Sequence, residues 1–278
     1  MSGGRAGGHR STRRDASGYV PRVLLVPAVV GLALLVVPLV ALVGRVDPAT
    51  VWADVTSPEA GAALALSLQT ALAATAACIV LGVPLALTIA RAGARGAAVL
   101  RAVVTVPLVL PPMVGGVALL FLFGRTGWLG AMLGEAGIRI PFTTTAVVIA
   151  QTFVALPFLV LALEGSLRAT GAGYEQTAAA LGAGRWRILF RVTLPLAAPG
   201  LIAGTVLCFA RALGEFGATA LFAGNAPGVT QTMPLAIYTA FNGAGVSQGT
   251  AVALSLLLLI TAIAALLLVR AWRPGGAR

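Results

Sequence analysis

The feature that most restricts this chain is a succession of six apolar runs, at residues 22–44, 61–90, 102–123, 143–163, 200–223 and 248–269. Each is long enough to cross a hydrocarbon core, which takes about 20 helical residues. Lipid offers a backbone no water to bond with, so a spanning segment must satisfy its own N–H and C=O groups, as an α-helix does. The expected fold class is therefore an all-α integral membrane protein with six transmembrane helices. With 59% hydrophobic and 10% charged residues and a mean hydropathy of +0.98, a soluble domain is ruled out. The first run is longer than the apolar core of a secretory signal, so it reads as an uncleaved span, with Pro27 and Pro38 as places to bend.

Charge sets the orientation. All 19 basic residues are arginines, and 15 of them fall on one side: five in the first 22 residues, three after the second run, four between the fourth and fifth, and three at the C-terminus. Arg45, Arg125 and Arg139 lie on the other side, and Arg211 lies inside a run. The arginine-rich side is cytoplasmic by the positive-inside rule, which puts both termini there. A net charge of +11 would suit a nucleic-acid partner, but the arginines are scattered among apolar runs, so none is expected. Cys78 and Cys208 sit in different runs and the one histidine, His9, is in the polar tail. No metal site, cofactor or catalytic residue is expected.

The expected organisation is an arginine-rich, disordered cytoplasmic tail at residues 1–21 and a first helix with its extracytoplasmic loop at 22–60. A five-helix core follows at 61–270, including a cytoplasmic loop at 164–199, and residues 271–278 form a second tail. Only nine residues follow Val269, so no C-terminal regulatory domain is expected.

The loop has its own pattern. Glu175 to Leu181 has no breaker and reads as a short helix, and Gly182-Ala183-Gly184 allows a sharp turn. The helix after it is two-sided: Trp186, Leu189 and Phe190 share one face, Arg187 and Arg191 another, and Arg185 adds charge at its start. Leu194-Pro195 and Pro199 close the segment. Gln176-Thr177-Ala178, Gly182 and Val192-Thr193-Leu194-Pro195 resemble the cytoplasmic E-A-A signature of the membrane subunits of bacterial ABC importers, departing from it at Gln176, Thr177 and Val192. Glu175 stands one residue ahead of the signature's glutamate position. The resemblance implies a coupling helix seated in a groove of an ATPase subunit, with Glu175, Gln176, Thr177, Ala178, Gly182, Arg185, Arg187, Leu194 and Pro195 as its residues. The residues alone leave a second reading open, an amphipathic helix lying on lipid headgroups.

Two intramembrane features stand out. In the third run Pro107, Pro111 and Pro112 each remove a backbone donor ahead of Gly115-Gly116, so the helix is expected to be broken or kinked there. Pro111, Pro112 and Gly115 either line a pathway or merely serve packing. In the fifth run an arginine at membrane depth costs about 2.5–3.5 kcal/mol, so Arg211 should find a partner, and Glu215 is one turn away. They form a structural ion pair or contribute to a field for an anion.

The run from Phe209 to Thr219 (FARALGEFGAT), together with Gly224-Asn225-Ala226-Pro227-Gly228, the stretch TQTMPLAIY at 230–238 and VPLVLPP at 106–112, is similar to the permease subunit of molybdate ABC importers. The resemblance implies the type I importer permease fold, a homodimer embedded in membrane lipid, a cytoplasmic ABC ATPase dimer and an extracytoplasmic molybdate-binding protein. Asn225 and Gln231 are candidate contacts for that binding protein, whereas the residues alone fit an ordinary connection with a short surface helix slightly better. No G-x-x-x-x-G-K-[ST] loop is present, so the chain is not expected to be an enzyme and ATP hydrolysis is expected on the partner. Tungstate or sulfate/thiosulfate are alternative cargoes, and a secondary anion transporter is the reading from another class.

Overall fold

The computed structural model describes residues 21–243 and 248–271, so the expectation of disordered tails falls mostly outside the described residues. The chain divides into two compact units, Met1–Arg45 and Val46–Arg278. The first contributes α1, Leu25–Val43, an apolar helix that runs through Pro38 without interruption and has no buried residue.

In the second unit α2 (Val51–Val55) leads into α3, Pro58–Arg91, whose start is capped by Ser57 Oγ accepting from Ala60 N–H. Next come α4 (Ala94–Val109), α5 (Pro112–Phe123), α6 (Trp128–Glu135) and α7 (Thr144–Thr170). After α7 the chain forms α8 (Gly173–Ala180) and α9 (Arg185–Ile188), a π-helical turn at Leu189–Thr193, and α10 (Leu194–Leu196). It ends with α11 (Ala198–Leu213), α12 (Gly217–Phe222), α13 (Met233–Asn242) and α14 (Gln248–Ala271).

The core is a packed trio, α7 lying along both α3 and α11. Lipid tails are as apolar as leucine, so such helices gain by close packing, and small residues permit it. Ala71, Ala74, Cys78, Ala155, Cys208 and Ala212 are buried together with Leu159 and Leu213, which brings the two cysteines from separate spans into one cluster. At Gly200 a Cβ would fall 2.8 Å from the Ala162 carbonyl oxygen, so α7 and α11 meet there backbone to backbone.

Among the described residues three helices, α1, α3 and α7, are individually long and apolar enough to cross a membrane, and two bent pairs bring the number to five. The break expected in the third run is present and severe: α4 and α5 differ in direction by 109° at Leu110-Pro111. Three expectations need correction. The fifth run is not one helix, because α11 ends at Leu213 and α12 begins at Gly217, leaving Glu215 in the break. Pro195 does not end a helix but sits inside α10, and the chain turns at Ala197 instead, bending by 71° into α11. The fourth run extends to Thr170, and Glu164 lies buried within α7 rather than at the start of a loop. Leu163 and Leu167 continue the buried stripe of α7 past that charge, and Arg168 pairs with it from one turn on, at 2.6 Å.

Candidate functional site

The segment after α7 folds as a helix, a glycine turn and a helix. Gly182, with φ +83°, closes α8: Ala183 N–H donates to Ala178 C=O and Gly182 N–H to Ala179 C=O. That is a Schellman closure, which needs a left-handed residue at this position. The turn carries Tyr174, Leu181, Trp186 and Phe190 outward, with Leu181 83% and Trp186 75% exposed. The rings of Trp186 and Phe190 stack at 6.0 Å between centroids. Gln176, Thr177, Gly182, Arg185, Arg187 and Pro195 are exposed as well, while Ala178 and Leu194 are half-buried. Large apolar side chains gathered on one surface element mark an interaction face.

Glu175 does not share that outward face. Its carboxylate accepts from the Arg91 guanidinium at the end of α3 and from Thr193 Oγ1 in the π-helical turn, the latter at 2.7 Å. One carboxylate thereby ties α8, α3 and the segment leading to α11. A hollow of 640 Å³ opens beside it, with Gln176, Arg185 and Leu189 in its wall. A second tie lies deeper: Glu164 Oε1 accepts from Arg101 Nη2 at 2.5 Å and from Arg168 Nε at 2.6 Å. Arg168 also reaches the Ile89 carbonyl at 3.5 Å. Arg91, Arg101 and Arg168 were not singled out as site residues from the sequence, and Thr193 appeared there only as a member of the signature. The available signal was the pairing of isolated acids with arginines at the ends of neighbouring runs.

The two intramembrane features meet each other. A Cβ on Gly217 would fall 2.9 Å from Pro112 Cβ, and one on Gly116 would fall 2.8 Å from the Ala218 carbonyl oxygen. The break between α4 and α5 thus packs directly against the break between α11 and α12. Gly115 is buried against the ring of Phe153, whose Cε1 lies 3.0 Å from the position of a Cβ, whereas Pro111 and Pro112 are exposed. In the second break Glu215 is 1% exposed, and its Oε1 accepts from Ala218 N–H at 2.7 Å, capping α12. Its Oε2 lies 2.5 Å from Arg211 Nη2, close enough for an ion pair, although the geometry is not that of an aligned hydrogen bond. Arg211 is one-quarter exposed, so the pair is buried on its acidic side and open on its basic side. Thr219 Oγ1 and both amide atoms of Gln151 are also buried without hydrogen-bond partners.

Asn225 and Gln231 belong to a third place. Asn225 Nδ2 donates to Thr239 Oγ1 at 2.8 Å, which ties the 224–228 turn to α13. Gln231 lines a hollow of 230 Å³ with Pro58, Glu59 and Pro227. Pro58 opens α3 and Arg91 closes it, and a helix of 34 residues is about 50 Å long, so Gln231 lies at the end of the bundle opposite Glu175.

Comparison with known proteins agrees with this architecture. The chain is 51% identical over 257 residues to the molybdenum transport system permease protein ModB of Mycobacterium tuberculosis, covering 92% of this chain and 96% of that one. It is 43% identical over 197 residues to ModB of Escherichia coli K12, covering 70% and 86%. Its fold matches the crystal structure of a bacterial alginate ABC transporter in complex with an alginate-bound periplasmic protein, with a TM-score of 0.65 over 89% of this chain and 91% of that one, at 17% identity. Residues 79–274 match the model of the binding-protein-dependent transport system inner membrane component, and with its all-helical fold and bilayer-length helices the chain belongs to that family.

Proposed function

We propose that this chain is the membrane-spanning permease subunit of an ATP-driven importer that carries molybdate into the cytoplasm by alternating access. The observation that carries this reading is the 51% identity, over nearly the full length of both chains, to a permease named for molybdenum transport. The partners are a second copy of this chain, a cytoplasmic ATPase dimer docked on the exposed helix–turn–helix, and an extracytoplasmic binding protein at the Gln231 end. Six spans with both termini cytoplasmic complete the arrangement, α1 preceding a five-helix core at 61–270. The unpaired apolar face of Tyr174, Leu181, Trp186 and Phe190 supports the ATPase surface. ATP-driven closure would push that face and rock the helices tied to it.

Proteoliposomes holding this chain with its cognate ATPase and binding protein should take up molybdate only when ATP is supplied. Uptake driven by an ion gradient without ATP would replace the reading with a secondary transporter. Preference for sulfate or tungstate over molybdate would move the cargo and leave the class intact. Topology has its own check. An Arg187→Cys variant should react with a membrane-impermeant maleimide only after cells are opened, because Cys78 and Cys208 are buried and Arg187 is exposed. Labelling of intact cells would place the loop on the wrong side.

A further inference from the structure

The end of α5 and its connection to α7 border a half-open hollow of 690 Å³. Its wall is largely apolar, with Leu120, Phe121, Ile138 and Phe142, and it also contains Arg125 and Arg139. Both arginines are exposed. Neither forms an ion pair or hydrogen bond among the described residues, whereas Arg91, Arg101, Arg168 and Arg211 all do. Phe142 supplies the second observation. It is the one described non-glycine residue with positive φ, +62°, a conformation that costs a bulky residue about 1–3 kcal/mol and clusters at binding sites. It is held there by its N–H donating to the Phe222 carbonyl at 3.3 Å and by its ring packing on Gly224. The wall is thus built at the expense of backbone strain, yet Phe142 is left 62% exposed.

The hollow stands where the apolar helix α5 ends, at Phe123, and where α7 begins, at Thr144. With 27 residues α7 is about 40 Å long, so this is the end of the bundle opposite the helix–turn–helix, and a span that ends there leaves the hydrocarbon for the headgroups at this point. A ligand that satisfies two free guanidiniums and an apolar wall together must carry negative charge at one end and hydrocarbon at the other. We propose that this hollow binds one anionic glycerophospholipid of the adjacent leaflet. Its phosphodiester pairs with Arg125 and Arg139, and an acyl chain lies along Phe121, Ile138 and Phe142. Arginine forks match phosphate oxygens in two-point contacts, and basic pockets among membrane helices recognise anionic headgroups. A small free oxyanion would gain nothing from the aromatic wall.

The test uses the full chain in mild detergent, incubated with phosphatidylglycerol or with phosphatidylcholine of the same acyl composition, and counts retained lipids by native mass spectrometry. The wild type should retain one phosphatidylglycerol per chain with at least about fivefold preference over phosphatidylcholine, and Arg125→Gln/Arg139→Gln should abolish the preference. Ile138→Glu, at a half-exposed position that tolerates a charge, should abolish it as well and serves if the double variant fails to fold. Equal retention of the two lipids by the wild type, or an undiminished preference in the folded variants, overturns the proposal. So does displacement of phosphatidylglycerol by millimolar molybdate, which would assign the arginines to a free oxyanion.

Discussion

Arg211→Ala is expected to abolish molybdate uptake in vesicles, and the reason is separable from simple damage. The substitution leaves Glu215 1% exposed with its Oε2 facing no cation. Breaking a buried pair from one side costs about 3–5 kcal/mol, and the partial exposure of Arg211 places the effect near the lower figure. The single variant should therefore melt earlier. Arg211→Ala/Glu215→Gln removes both charges and leaves the amide oxygen to accept from Ala218 N–H, so its melting temperature should recover most of the loss. If Arg211 supplies a field for the passing anion, the double variant will fold and bind the ATPase yet still fail to transport. Recovery of uptake along with stability would reduce the pair to a structural role and remove Arg211 from the pathway. The geometry favours the first outcome, since the guanidinium is the more open partner and the break that follows it packs against Pro112 through Gly217.

Glu175→Ala is the second large effect, and it should uncouple the machine rather than unfold it. Glu175 joins α8 to the end of α3 through Arg91 and to the π-helical turn through Thr193. Its partner Arg91 is more than one-third exposed, so the tie adds modestly to stability. Its position is what matters: it lies between the exposed face and the 34-residue helix that packs along α7. Without it the ATPase should bind and hydrolyse ATP at an undiminished rate, while uptake per ATP falls about tenfold or more, a loss of roughly 1.4 kcal/mol or more in coupling. Arg91→Ala should reproduce the defect, and exchanging the charges, Arg91→Glu with Glu175→Arg, should restore part of the coupling. Equal uptake per ATP in Glu175→Ala would show that force enters the bundle by another contact, such as that of Ser166 Oγ on α7 with the Ala197 carbonyl.

Much of this molecule is legible locally. The helix–turn–helix after the fourth span follows from an alanine-rich stretch, a glycine able to adopt φ +83° and a two-sided arginine helix, all within about twenty residues. The break at Pro111-Pro112 follows from covalent geometry, because each proline removes a donor whatever surrounds it. The break at Gly214–Phe216 has a local trace too, in the glycines that flank Glu215, but unbroken hydropathy across it reads as one span. Glu164 misled for the opposite reason. A charge after an apolar run reads as a loop, and only its arginine partners on α4 and α7 let it stay inside a helix.

The sequence by itself determined that this is an all-helical membrane protein and where its basic loop and its proline break lie, because hydropathy, helical period and missing backbone donors act within a few turns of chain. Only the tertiary structure decided that Glu175 faces Arg91, 84 residues away, that the two broken helices lock through Gly116 and Gly217, and that Arg125 and Arg139 share one hollow. Those contacts depend on how α3, α5, α7 and α11 pack, and in a membrane that packing is chosen by the fit of small residues between distant helices.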